Sequence, residues 1–151
     1  MKTAYIELNT TNQIKSLSTK DSTDSFVYLG IHMFPSTKVT SLHEILNKEF
    51  DYFILDMGVL TNYTAAEFSK CQKKFLVCSF CEWKKRISLK KVQELFQQTN
   101  LNQEELILLK TFENKSKDSF LFSMHAKTFP PLPNPFQIPV DMFSDLNSLL
   151  F

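Results

Sequence analysis

Apolar residues in this chain gather in short runs, separated by segments with a different spacing. Four runs, at residues 4–8, 52–57, 74–80 and 106–112, are mostly apolar on both faces rather than strictly alternating. Strands covered on two sides read this way, so the runs predict a largely parallel central sheet. A fifth run, 26–34, contains Gly30 and stops at Pro35. It predicts a shorter or edge strand that the proline terminates.

Helical spacing fills the intervals. Leu42, Ile45 and Leu46 form one apolar stripe; Ile87, Leu89, Val92, Leu95 and Phe96 form a longer one, with lysines and glutamines opposite. Ser41 with Glu44 fits a capping box, and Ser88 marks a point where the second helix begins or continues. Residues 62–68 are a weaker helical candidate, and 140–150 close the chain with an amphipathic pattern. The prolines at 130, 131, 133, 135 and 139 exclude a helix over 127–139 and allow at most a short edge strand there. Residues 10–25, rich in Ser, Thr, Asn and Asp, predict a loop with a short helix at 14–17. Helices alternating with buried strands predict a three-layer α/β domain, because parallel neighbours need crossovers that cover the sheet faces. Ile6, Ile54, Val77 and Leu108 are expected on adjacent strands, and Glu7 and Asp56 at the same C-terminal end of the sheet.

Composition narrows the setting. With 151 residues, 43% of them hydrophobic, the chain suits a single domain spanning 1–151. The 17 Lys and Arg are interspersed with 16 Asp and Glu, so neither nucleic acid nor a membrane is suggested as a partner. No segment approaches the roughly 20 apolar residues of a membrane span, and residues 1–9 lack a signal-peptide core. Three cysteines, an odd number, argue against a disulfide framework. A cytoplasmic location with reduced thiols is the expectation.

The sharpest local signal is the apolar strand that ends in Asp56 and is followed by Gly58. Ligands gather at the C-terminal strand ends of open α/β sheets, where a Mg²⁺-linked or catalytic carboxylate sits; the same acid can equally cap a loop or a helix. Cys78 and Cys81 form a C-x-x-C at a strand end, with Lys84 and Lys85 nearby to favour a thiolate, which is the spacing of a thioredoxin-like site. The motif lies past the midpoint of the chain, and no hairpin pattern links it to Pro130. Cys71, Cys78 and Cys81 with His32, His43 or His125 lack the paired clusters of a zinc site, so no metal is expected. Trp83 followed by Lys84, Lys85 and Arg86 reads as a basic-aromatic patch or a solvated helix start. The phenylalanines at 129, 136, 143 and 151 hint at an apolar contact surface.

Taken together, these segments resemble a MinD/ParA-type P-loop ATPase without its opening elements. Tyr5-Ile6-Glu7-Leu8-Asn9 is similar to the strand after the family's first helix, 50–58 to its Walker B strand, 73–83 to the next strand and turn, and 129–138 to the late strand and proline-rich turn beside the adenine. The resemblance implies a truncated P-loop NTPase-like (Rossmann-like) fold with Glu7, Asn9, Asp56 and Pro133 as the remnant of a nucleotide site. The departures are specific. The chain has two glycines, Gly30 and Gly58, and no G-x-x-x-x-G-K-[ST], so the backbone cradle and lysine that hold phosphates are missing. The second acid of the first strand is Asn9, which cannot ionise. The implied function is a degenerate or truncated ATPase-like domain, non-catalytic alone, acting through association with a second copy or with an intact P-loop ATPase relative. No cofactor is expected, and Mg-nucleotide binding at most weak. Two alternatives belong to other classes: a thiol redox protein using Cys78 and Cys81, and a receiver-like signalling module centred on Asp56. The latter has only Glu7 for its acidic pair, and Lys110 falls inside a predicted strand rather than after it.

Overall fold

A computed structural model describes residues 1–18, 24–59, 61–78, 82–99, 106–110, 125–128, 142 and 147. The chain is mixed α/β with mainly parallel strand pairing, and it divides into two compact units, Met1–Phe68 and Ser69–Phe151.

The first unit contains β1 (Thr3–Glu7), β2 (Phe26–Tyr28), β3 (Ile31–Phe34), α1 (Val39–Leu46), β4 (Tyr52–Asp56) and most of α2 (Asn62–Lys70). Its sheet has the order β2-β3-β1-β4. β1 lies between β3 and β4 and is parallel to both, while β2 pairs antiparallel with β3 at the edge. The interior position of β1 follows from its side chains: Ala4 and Ile6 are fully buried, and Leu8 just beyond the strand is buried too. Fully burying a side chain the size of Ile6 contributes about 1.5–3 kcal/mol. Leu42 and Ile45, three apart on α1, supply the buried stripe of that helix. Phe50 gathers edge-on aromatic contacts with His32, Phe34 and Phe53, at centroid distances of 5.1, 6.1 and 5.7 Å.

Several sequence expectations change here. The run 26–34 is two strands, not one: Leu29 and Gly30 form a two-residue hairpin turn with φ of 49° and 79°. Positive φ at both central positions is the twist-matched hairpin turn, which glycine accommodates and leucine tolerates at a cost. β3 is therefore an inner strand, and of these two only β2 lies at an edge. Ser41 does not cap α1; the helix starts at Val39 after Lys38, without a side-chain cap. A cap appears instead on α2, where Thr64 Oγ1 accepts the Thr61 N–H at 3.1 Å. The short helix at Ile14–Leu17 is present as a 3-10 turn.

The second unit contains β5 (Lys74–Cys78), α3 (Glu82–Thr99), β6 (Leu106–Lys110) and β7 (His125–Thr128), with all pairing parallel and the order β5-β6-β7. Leu106 and Leu108, two apart on β6, are fully buried, as is Val92 on α3, with Leu95 nearly so. α3 runs without a break through Ser88. β7 ends at Thr128; the proline-rich segment after it and the pattern at 140–150 lie outside the described residues except for 142 and 147.

Ile6 and Ile54 lie on adjacent strands, and so do Val77 and Leu108, but the described pairing forms two sheets rather than one. β4 is an edge strand of the first sheet, paired with β1 alone among the described residues, whereas its apolar run predicts an interior position. Tyr52 and Ile54 are 49% and 47% exposed, and Val77 on β5 is 65% exposed. A continuous apolar run records composition; it does not record which side a neighbouring element covers.

Candidate carboxylate site at the end of the first sheet

β1 and β4 are parallel and in register, with Glu7 opposite Asp56. Both acids therefore stand at the same C-terminal end of the sheet. Because side chains alternate, Tyr5 and Glu7 share one face with Ile54 and Asp56. The diagonal neighbour of Asp56 on that face is Tyr5, and its hydroxyl donates to Asp56 Oδ2 at 2.8 Å.

Glu7 is fully buried, and the chain's own loops satisfy it. Its Oε1 accepts the Gln13 N–H at 2.8 Å and the Thr11 hydroxyl at 3.4 Å, and its Oε2 accepts the Ser36 N–H at 3.3 Å. The Glu7 carbonyl accepts the Thr37 N–H at 2.8 Å. One residue thus fastens the loop after β1 to the turn after β3. That turn needs the fastening: Ser36 follows Pro35 with φ of 50°, a left-handed conformation that a non-glycine residue adopts only when its surroundings hold it there.

Asp56 does the same for the next loop. Its Oδ1 accepts the Gly58 N–H at 2.9 Å, folding the chain back just after β4. Its carbonyl accepts the Leu8 N–H at 2.8 Å and, more distantly, the Asn9 side-chain amide at 3.5 Å. Asn9 Oδ1 accepts the Thr11 N–H at 2.9 Å and also the Thr11 hydroxyl. Gly58 is required here on two counts: its φ is +59°, and a Cβ would lie 2.7 Å from Asn9 Cβ.

Burial first, then the hydrogen bond and charge of Asp56, and lastly the charge of Glu7 hold the Tyr5 hydroxyl protonated well above its ordinary range. Among the described residues neither Glu7 nor Asp56 has a Lys or Arg ion-pair partner, and every buried side-chain N or O atom has a hydrogen-bond partner. The site is a pair of carboxylates whose four oxygens all take internal donors. Among the described residues no Lys or Arg is ion-paired with it.

Of the sequence-predicted site residues, Glu7, Asn9 and Asp56 come together and Pro133 lies outside the described residues. Tyr5, Thr11, Gln13 and Ser36 were not singled out in the sequence. The only available signals were Tyr5 at i−2 from Glu7 and the Pro35-Ser36 turn dipeptide.

The thiol motif is only half described. Cys78 is buried at the end of β5, and burial pushes its thiol up to about 11; Cys81 lies outside the described residues. That shift is opposite to the one that makes a thiol a nucleophile at neutral pH. Lys110 is the last residue of β6. Among the described residues no cluster of three His, Cys, Asp or Glu could hold a metal, and no helix is long and apolar enough to cross a membrane. No protein-family model, curated protein or solved structure matches this chain.

Proposed function

We propose that this chain is a degenerate MinD/ParA-like, P-loop-ATPase-like domain, non-catalytic alone, that acts through protein–protein association. One observation carries the reading: the two acids at the C-terminal end of the parallel strands, Glu7 and Asp56, are consumed by the chain's own N–H and O–H donors. Together with a sequence that has no glycine-rich loop and lysine, this leaves two negative charges where a phosphate-binding site needs donors. Association is supported by β4, among the described residues an edge strand, with Tyr52 and Ile54 about half exposed and no lysine or proline to discourage pairing.

Calorimetry with Mg-ATP and a hydrolysis assay test the negative half of the proposal. Binding no tighter than about 1 mM and no turnover above background are expected. Micromolar affinity that Asp56→Ala abolishes overturns it, because Asp56 would then be serving a ligand instead of the loop at Gly58.

A further inference from the structure

The charge distribution on α3 is unusual for a helix. Lys84, Lys85, Arg86, Lys90 and Lys91 crowd its first half against Glu82, and the last turn has no basic residue. The helix dipole favours the opposite arrangement, with anions at the N-terminus and cations at the C-terminus. Among the described residues Lys84 and Arg86 have no carboxylate within ion-pair distance, and Lys90 and Lys91 share a single one, Glu94, at 3.9 and 3.0 Å. Lys90 and Lys91 are 76% and 71% exposed.

An apolar side chain sits among them. Ile87 is 64% exposed, although the same helix buries Val92 and Leu95. At 3.6 residues per turn, Ile87 neighbours Lys91 and Lys90, and Arg86 neighbours Lys90, with Arg86, Ile87 and Lys90 roughly 120–160° around the helix from Val92. A solvated helix face does not call for an isoleucine beside cations that outnumber the one carboxylate they share, whereas a docking face does: the cations select the partner's sign and the isoleucine supplies apolar area.

We propose that the outward face of α3 around Arg86, Ile87, Lys90 and Lys91 docks an acidic protein segment that carries an apolar side chain against Ile87. The charge complementarity names the sign of the partner, and Ile87 favours a peptide over a bare polyanion. The proposal rests on the association reading, but it uses a different surface from β4, so either can fail alone.

The test uses the full chain and a labelled peptide of aspartates and glutamates around one leucine, read by fluorescence anisotropy. Saturable binding is expected, weakening as salt is raised from about 50 to 200 mM. Arg86→Glu with Lys90→Glu should lower affinity by at least about tenfold, and the milder Arg86→Gln with Lys90→Gln by less. Both pairs should keep the helix, checked by circular dichroism, because Glu and Gln have helix propensities close to Lys. Ile87→Ser should weaken the leucine peptide but not a version with serine in its place. No saturable binding, binding indifferent to the charge variants, or equal binding of the leucine and serine peptides each overturns the proposal. So does tighter binding to duplex DNA or to anionic phospholipid vesicles than to the peptide.

Discussion

Glu7 shows how much one buried side chain can organise. Its carboxylate takes two backbone N–H groups from different loops, so Glu7→Gln, which keeps the shape, must turn an amide N–H₂ toward one of those donors. A loss of about 2 kcal/mol in denaturant unfolding is the expected result, since the change leaves a buried donor unsatisfied. Tyr5→Phe removes the hydroxyl that donates to Asp56 and should cost about 1 kcal/mol at neutral pH. Tyr5 also predicts a pH dependence. Its folded pKa is raised, so the tyrosine ionises more readily in the unfolded chain; the stability linked to it is fully present below pH 10 and falls as pH rises above that. Unfolding measured on both sides of pH 10 should show a shallower decline in Tyr5→Phe than in the parent chain. Cys78 behaves in the same direction. With its thiol pushed up to about 11, it should alkylate at pH 8 far more slowly in the folded chain than in urea. Equal rates in the two states would reopen the redox reading.

The hairpin is the element that rests least on its own sequence. Leu29 occupies a left-handed position at φ of 49° and is 69% exposed, so it bears a conformational cost with little burial in return. Leu29→Asn should raise stability by about 0.5–1 kcal/mol, because asparagine tolerates that conformation. A destabilised variant in thermal unfolding would mean that Leu29 makes a contact its exposure does not reveal. The hairpin also explains why the run 26–34 reads as one strand: two short apolar segments joined by Leu-Gly carry no polar turn residue to separate them. On α2 the signal was present but small. Thr64 takes the Thr61 N–H as the Glu of a capping box does, and Ser41 with Glu44 matches the box spacing yet lies inside α1.

For the molecule as a whole, the association claim has a direct measurement. Light scattering at micromolar concentration should give a mass above that of one chain, and Ile54→Lys should move it toward the monomer by charging the exposed face of β4. A parent chain that is monomeric at those concentrations removes association through β4 and leaves the α3 face to be judged by its own peptide titration. Neither outcome touches the Mg-ATP result, which depends on the acids at the C-terminal end of the first sheet, Glu7 and Asp56.

The mainly parallel α/β character, the positions of the five apolar runs that hold β1 to β6, and the burial of Leu42 and Ile45 on α1 and of Val92 and Leu95 on α3 were legible in residue order, because period and run length are local properties of the chain; Leu46 and Ile87, counted in the same stripes, are instead exposed. So was the meeting of Glu7 with Asp56, since parallel strands of equal length that end in acids bring those acids to one end. What the acids do there was not legible. Their partners are backbone N–H groups of Gln13, Ser36 and Gly58, and every residue but proline offers one, so residue type does not announce them. The edge position of β4 was hidden for a related reason: strand order is set by hydrogen bonds between segments far apart in the chain, and an apolar run looks the same whether one neighbour pairs with it or two.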